Sequence, residues 1–188
     1  MNYYIEIKLL HDPEIGLGFL WKKVFTQVHL ALAERGGGTI GVSFPKYGDK
    51  VFPMGDTLRL FASTQDTLTA LNLREWLARL QDYAAVSAIQ KTPDNIQGYA
   101  QFSRKQAKTG KERQARRYAK RHHIDYEEAL KHYENMEEKV LKLPFVMLQS
   151  LSSNQEMKLF VEKKPSATEV KGDFNSYGLS KEATVPWF

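Results

Sequence analysis

The 188-residue chain contains no cysteine. This absence excludes disulfides, a thiolate nucleophile, zinc ribbons and cysteine-ligated metal clusters, and it is compatible with a reducing compartment. The five histidines also include no pair at the spacing of a known metal-binding motif; they are His11, His29, His122, His123 and His132. We therefore expect neither a bound metal ion nor another cofactor.

Long apolar runs are lacking as well. No apolar stretch approaches the ~20 residues that a membrane-spanning helix requires. Residues 1–10 carry Glu6 and have no basic start before an apolar run, unlike a signal peptide. These features predict a cytoplasmic protein with no membrane partner. The hydrophobic content of 42% is enough for a packed core, in one domain or two small ones.

Basic charge is concentrated in one segment. Residues 101–123 hold nine of the 27 Lys and Arg residues but only one of the 22 acids. On a helix, cations would cover one face, and the acids that follow stand in a separate block, so pairing within the helix would not neutralise that face. These cations are Arg113, Arg116, Arg117, Lys120 and Arg121. A solvated charged face is the plain alternative, but the pattern favours nucleic-acid binding. No helix-turn-helix pattern accompanies it, which disfavours DNA.

The hydropathy pattern predicts an α+β fold. Strands are predicted over residues 3–9, 39–44, 57–62 and 86–90, and helices over 17–32 and from 63 to 80. This βαββαβ order is the ferredoxin-like arrangement of many RNA-binding modules. Pro93, Asn95 and Gly98 mark a boundary, so residues 1–95 form one predicted domain and residues 96–188 a second.

The second half is predicted to contain the basic helix, an acidic helix from Tyr126 to near Leu143, and strands over residues 145–149 and 157–162. The chain closes on Trp187 and Phe188. A free tail seldom ends in two aromatic residues, so we expect them to pack into this second half.

Three groups of residues are candidates for chemistry. His29 lies at the edge of the first helix's apolar stripe, where an imidazole could act as a general base or be a bystander. Ser150, Ser152 and Ser153 follow a predicted strand, where hydroxyls could position a reacting group or cap a turn. Arg104 and Gln106 would share a face of an extended segment; they could recognise guanine and adenine edges or contact phosphates.

Several motifs, taken in order, resemble one family. They are GVSFP at Gly41–Pro45, the S-R-x-Q-A-K of Ser103–Lys108, the arginine-rich helix, Leu143–Val146, Tyr177–Lys181 and Val185–Phe188. Together they resemble the CRISPR RNA-processing endoribonuclease of the type I-F system. The resemblance runs from the first strand to the last residue.

The resemblance implies a ferredoxin-like domain followed by a smaller RNA-binding domain that carries the arginine-rich helix. It also implies a metal-independent nuclease that binds the repeat hairpin of precursor CRISPR RNA and cuts once at the 3′ base of the stem. The products would be a 2′,3′-cyclic phosphate and a 5′-hydroxyl. The enzyme would stay bound to the mature guide RNA as a partner of the other subunits of the type I-F surveillance complex, an antiviral system.

Site residues follow from the same resemblance. His29 corresponds to the catalytic histidine, Ser150 to the serine that holds the attacking 2′-hydroxyl, and Tyr177 to the tyrosine that orients the site. The expected RNA contacts are Arg104, Gln106, Lys108, Arg113, Arg116, Arg117, Lys120, Arg121, His122, Ser152 and Met157.

The chain departs from the family pattern in three respects. Met157 replaces an aromatic residue that stacks on the terminal base pair, and Ala115 and Lys120 stand where arginine is usual. The glycine-rich loop common among related processing nucleases is not obvious in the tail.

An alternative hypothesis is a hairpin-binding subunit that does not cut.

Overall fold

The computed structural model describes residues 1–106, 110–134, 141–149 and 155–188. It contains two compact units. The first comprises Met1–Lys105 and Leu143–Phe188, and the second is Gln106–Lys142. The fold is α+β, as predicted, and both of its antiparallel sheets belong to the first unit. The division of the chain into one domain of residues 1–95 and a second of residues 96–188 stays a prediction.

The first sheet is built from the N-terminal half of the chain. Its strands are β1 (Tyr3–Leu9), β2 (Gly41–Ser43), β3 (Thr57–Ala62), β4 (Ala84–Val86) and β5 (Gln90–Lys91). They are arranged in the order β2-β3-β1-β4, and β5 also pairs with β1. The alternation of β1 places Ile5, Ile7 and Leu9 in the core, with Ile7 opposite Leu58 of β3.

Helix α1 (Leu17–Glu34) buries the predicted stripe, which includes Trp21, Val24 and Val28. It ends where three consecutive glycines adopt φ angles of +81°, +70° and +88°, a conformation that residues with a Cβ seldom adopt. No helix among the described residues is long and apolar enough to cross a membrane.

The prediction of one continuous helix from residue 63 to residue 80 is wrong. The segment forms α2 (Gln65–Thr69), α3 (Leu73–Trp76) and a 3₁₀ turn at Ala78–Leu80. The start was predicted correctly, because the side chain of Thr64 accepts a hydrogen bond from the Thr67 amide. Asn72 breaks the helix, since its φ of +48° is left-handed.

The second sheet has the order β7-β8-β6-β9. Its strands are β6 (Gly98–Lys105), β7 (Phe145–Gln149), β8 (Glu156–Ser166) and β9 (Val185–Trp187). Strands β7 and β8 were predicted, although β8 runs further than expected, whereas β6 and β9 were not. The C-terminal strand β9 pairs with β6 as part of the second half, but the Phe188 ring contacts Tyr4 of β1, with 5.2 Å between ring centroids.

One hydrophobic core joins the two sheets. Phe44, which follows β2, meets Phe102 of β6 with 5.4 Å between ring centroids. Buried residues of β7 and β8 belong to the same cluster, as do Phe174 and Leu179 of the C-terminal segment. The C-terminal segment is therefore packed against elements of the N-terminal half.

The second unit consists of two packed helices, α4 (Lys111–His122) and α5 (Tyr126–His132). Ala115 and Ala129 are their buried residues. Asp125 caps α5 by accepting a hydrogen bond from the Glu127 amide. The predicted acidic helix is thus present at its start, and its continuation over residues 135–140 lies outside the described residues.

Candidate functional site

His29 is held by a backbone group from the far end of the chain. Its Nδ1 atom lies 2.7 Å from the carbonyl oxygen of Ser176. A carbonyl can only accept a hydrogen bond, so Nδ1 must carry the proton and donate it. In the neutral imidazole, the Nε2 atom then keeps its lone pair. The ring is partly buried beside Val28, which is the border position that the sequence predicted.

The Tyr177 ring is stacked on the His29 ring. The two centroids are 4.1 Å apart and the planes are inclined by 13°. Tyr177 belongs to a turn that the Gly178 amide closes by donating to the Asn175 carbonyl at 2.8 Å. The Asn175 side chain also accepts from the Tyr177 amide at 2.9 Å. The turn therefore fixes the Tyr177 backbone, as an Asx turn does.

Strand β2 anchors this turn. The Val42 amide donates to the Gly178 carbonyl at 2.9 Å. Gly178 has a φ of +70°, and a Cβ added there would lie 2.4 Å from Val42 Cγ1. Glycine is needed for both the conformation and the close approach. These contacts hold the segment that supplies the Ser176 carbonyl and Tyr177 in a fixed position on β2.

Arg104 of β6 is the third member of this group. Its Cζ atom lies 5.5 Å from the centroid of the Tyr177 ring, within the range of a cation–π interaction. Its Nε atom is buried and has no hydrogen-bond acceptor among the described residues. The structure therefore brings together Arg104, Tyr177 and His29, which lie far apart in the sequence. Gln106 is exposed and belongs to the second unit.

Three predicted site residues, Lys108, Ser150 and Ser152, lie outside the described residues. The last two lie between the end of β7 and the start of β8. The start of β8 is linked to α1 by an ion pair between Glu156 and Lys22. Met157 of β8 is partly buried and packs against the core.

The basic face of α4 is exposed. Arg113, Arg116, Arg117, Lys120, Arg121 and His122 are all solvent-exposed, whereas Ala115 is buried. Within the helix, Glu112 forms an i,i+4 ion pair with Arg116 at 3.6 Å. Both side chains are more than 70% exposed, so this pair is weakly stabilising and leaves most of the basic charge in place.

Two further features of the basic helix concern aromatic rings. Arg116 Cζ lies 5.9 Å from the Tyr126 ring centroid. The His122 ring lies 4.1 Å from that of Tyr118, and Tyr118 in turn stacks on His132 at 4.8 Å. These contacts hold part of the basic face against α5.

Sequence reasoning missed three residues of the site. Ser176 contributes a backbone carbonyl, and no residue-type pattern signals such a group. Asn175 and Gly178 could have been found, because Asn-x-x-Gly is a turn signal. Among the described residues, no group of three or more histidine or acidic side chains is placed to hold a metal ion.

The fold and the site define a two-sheet α+β protein with an exposed cationic helix and a histidine held by a backbone carbonyl. Residues 4–188 match the family described as CRISPR-associated protein (Cas_Csy4). Two relatives are each named CRISPR-associated endonuclease Cas6/Csy4. The one from Pseudomonas aeruginosa strain UCBPP-PA14 is 40% identical over 189 residues, and the one from Escherichia coli strain UTI89 is 41% identical over 189 residues. In both cases 100% of each chain is covered.

The chain therefore belongs to the Csy4 family of CRISPR-associated proteins. A solved structure of a Cas6-related protein from Pyrococcus furiosus covers 98% of this chain and 99% of its own at 12% identity. Its TM-score of 0.33 is too low to support a structural conclusion.

Proposed function

We propose that this chain is a cytoplasmic endoribonuclease that binds the repeat hairpin of precursor CRISPR RNA and cuts it at the 3′ base of the stem. The names of the two full-length relatives support an endonuclease that acts in a CRISPR system. The observation that carries the proposal is the His29–Ser176 hydrogen bond, because it leaves Nε2 as the atom that can accept a proton.

The proposed reaction uses the RNA's own nucleophile. The 2′-hydroxyl attacks the adjacent phosphorus, and His29 Nε2 accepts its proton. The bond from phosphorus to the 5′-oxygen breaks, and that oxygen takes up a proton from solvent, which gives a 2′,3′-cyclic phosphate and a 5′-hydroxyl. Ser150 positions the 2′-hydroxyl, and Tyr177 orients the imidazole. These steps require no metal ion from the protein.

Substrate binding is assigned to the cationic surface of α4. Arg113, Arg116, Arg117, Lys120, Arg121 and His122 line the hairpin groove, together with Lys108. Arg104 and Gln106 recognise base edges at the bottom of the stem, and Ser152 and Met157 contact the RNA beside the cut. A short stem can admit a helix near its ends, although the A-form major groove is otherwise too narrow.

The same proposal covers the architecture and the partners. The β2-β3-β1-β4 sheet, with its βαββαβ order, supports a ferredoxin-like domain over residues 1–95. Residues 96–188 then form the RNA-binding domain with the arginine-rich helix. After cleavage the protein remains on the mature guide RNA and contacts other subunits of the type I-F complex.

A cleavage assay with a labelled repeat hairpin tests this function. The wild-type protein should cut the all-ribose hairpin at the same rate with and without EDTA. A hairpin with one deoxynucleotide immediately 5′ of the scissile phosphate should bind normally and remain uncut. His29→Ala should abolish cleavage and keep affinity within a few-fold, because it removes an interaction made in the transition state.

A matched control is Arg79→Ala, which removes an exposed cation outside the site and should cut at the wild-type rate. Tight binding without any cut by the wild-type protein would support the alternative of a non-catalytic hairpin-binding subunit. Cleavage of the deoxy-substituted hairpin at the same bond would rule out the mechanism.

A further inference from the structure

Three side chains from distant parts of the chain are in contact, with Tyr177 touching both of the others. Arg104 lies on β6, Tyr177 on the C-terminal turn and His29 on α1. The guanidinium carbon is 5.5 Å from the tyrosine ring centroid, and the tyrosine and imidazole centroids are 4.1 Å apart. Tyr177 therefore contacts both the residue proposed to recognise a base and the residue proposed to accept the proton.

The imidazole of His29 needs more than its hydrogen bond to be oriented. The bond from Nδ1 to the Ser176 carbonyl fixes one ring atom, but the ring could still tilt about that contact. The nearly parallel stack on Tyr177, with planes inclined by 13°, removes this freedom. The direction in which Nε2 points thus depends on where the Tyr177 ring lies.

Arg104 is well placed to hold that ring. Its strand β6 is paired with β8 at this position, where Arg104 lies opposite Val161, and this pairing holds the Arg104 backbone. Its side chain is partly buried, and its Nε–H has no acceptor among the described residues. The guanidinium is therefore positioned largely by packing, and an acceptor brought by a ligand would complete its hydrogen bonding.

We infer that Arg104 is a positioning residue for His29 and acts through Tyr177. This inference rests on the proposed function and deepens it. A base edge bound by the Arg104 fork fixes the guanidinium, the guanidinium fixes the Tyr177 ring, and the ring fixes the plane of the imidazole. Recognition of the correct base at the stem would then raise the rate of the chemical step as well as the affinity.

A double-mutant cycle tests this coupling. The measured quantity is the single-turnover cleavage rate at saturating protein, which separates the chemical step from binding. Arg104→Met keeps an unbranched apolar stem and removes the cation, and Tyr177→Leu removes the aromatic face. We expect Arg104→Met to lose roughly tenfold in rate in the wild-type background and almost nothing in Tyr177→Leu. Arg79→Met is the matched control and should keep the wild-type rate.

Two further measurements keep the result interpretable. Arg104→Lys retains a cation but lacks the planar fork, so it should weaken binding more than it lowers the saturated rate. In the free protein, Arg104→Met should shift the imidazole NMR signals of His29 when Tyr177 is present and leave them unchanged in Tyr177→Leu. This second readout does not depend on cleavage.

Equal rate losses for Arg104→Met in both backgrounds would overturn the inference, as would an unchanged saturated rate in the wild-type background. Either result would leave the nuclease assignment intact, provided that His29→Ala is inactive. A His29→Ala protein that cuts at the wild-type rate would instead overturn the proposed function itself.

Discussion

Gly178 combines a left-handed backbone with a close contact, and few residues in the site are as constrained. Its φ is +70°, and an added Cβ would lie 2.4 Å from Val42 Cγ1. We expect Gly178→Ala to lower the free energy of unfolding by more than about 1 kcal/mol, because the strain and the clash add. It should also slow single-turnover cleavage, since the turn that carries Ser176 and Tyr177 must move away from β2.

Gly36→Ala is the control for this substitution. Gly36 has a φ of +81°, but an added Cβ would meet nothing within 4 Å. Denaturant unfolding should then show only the penalty of placing alanine in a left-handed conformation, about 1 kcal/mol, and cleavage should stay at the wild-type rate. If both alanine variants unfold alike and cut alike, the contact with Val42 does not set the site.

Among single residues, the sequence made His29 a candidate through its place at the edge of an apolar stripe, and the structure places the ring there. Tyr177 was expected only from the family resemblance, because its contact with His29 spans almost 150 positions of the chain. The Ser176 carbonyl had no signal at all, since every residue carries such a group. A site geometry made by backbone atoms can be seen only once the fold is known.

Among the elements, helix α4 allows the clearest test of RNA binding. Arg117 is exposed, and the i,i+4 ion pair of this helix joins Glu112 to Arg116. We expect Arg117→Ala to reduce the slope of log affinity against log salt concentration by about one, because one fewer phosphate is neutralised. The measurement is hairpin binding over a range of salt concentrations.

Arg116→Ala provides a comparison within the same helix. Arg116 is paired with Glu112, which partly offsets its positive charge. Arg116→Ala should therefore reduce the salt slope of hairpin binding less than Arg117→Ala does. Arg79→Ala should leave the slope unchanged. A wild-type slope near zero would show that the basic face is only solvated and does not bind phosphates.

The loop between β2 and β3 carries a pH-dependent contribution to stability. The Asp56 carboxylate accepts hydrogen bonds from Lys46 Nζ at 2.8 Å and from Thr57 Oγ1 at 2.7 Å. Burial opposes the charged form, but these bonds outweigh it and hold the pKa of Asp56 below its ordinary value. The stabilisation is therefore present above about pH 4 and is lost as the pH falls through the lowered folded-state pKa.

Asp56→Asn should remove that part of the acid dependence. We expect the difference in unfolding free energy between wild type and variant to be below about 1 kcal/mol at pH 7, because Lys46 is half exposed, and to shrink below pH 4. Denaturant unfolding at several pH values measures it. A difference that stays constant from pH 7 to pH 3 would contradict the assignment.

The success of the element predictions followed the strength of local patterns. Strands β1, β3 and β7 have the predicted bounds because apolar residues alternate or cluster there without interruption. Strand β6 was missed because its charged end was interpreted as part of the basic segment. Strand β9 contains Pro186, which is unusual in a strand, and it lies at the sheet edge, where a proline is tolerated.

For the molecule as a whole, local patterns could not show which elements share a core. The sequence indicated a boundary near Pro93, yet the first compact unit includes strands from both sides of it. Aromatic contacts between Phe44 and Phe102 and between Phe61 and Phe188 join the two sheets. Such contacts join parts of the chain that are far apart in the sequence, and no periodicity encodes them.

This shared core leads to a prediction about cooperativity. The Phe102 ring contacts those of Phe44, Tyr47 and Trp187, at centroid distances of 5.4, 6.0 and 6.2 Å. We expect Phe102→Ala to destabilise the protein by about 3–5 kcal/mol, because it leaves a cavity between the sheets. Hydrogen exchange should then show protection lost together in β1 and β3 and in β7 and β8.

The control for that experiment is Phe145→Ala on β7. Phe145 is only partly buried, and its ring contacts Phe160 of the same sheet, with 5.4 Å between centroids. Its loss should cost less than that of Phe102, because less apolar surface is exposed to water and the site can relax toward solvent. If Phe102→Ala instead loosens β7 and β8 while β1 and β3 keep wild-type protection, the sheets unfold separately, and the N-terminal half is stable without the contacts made by β6.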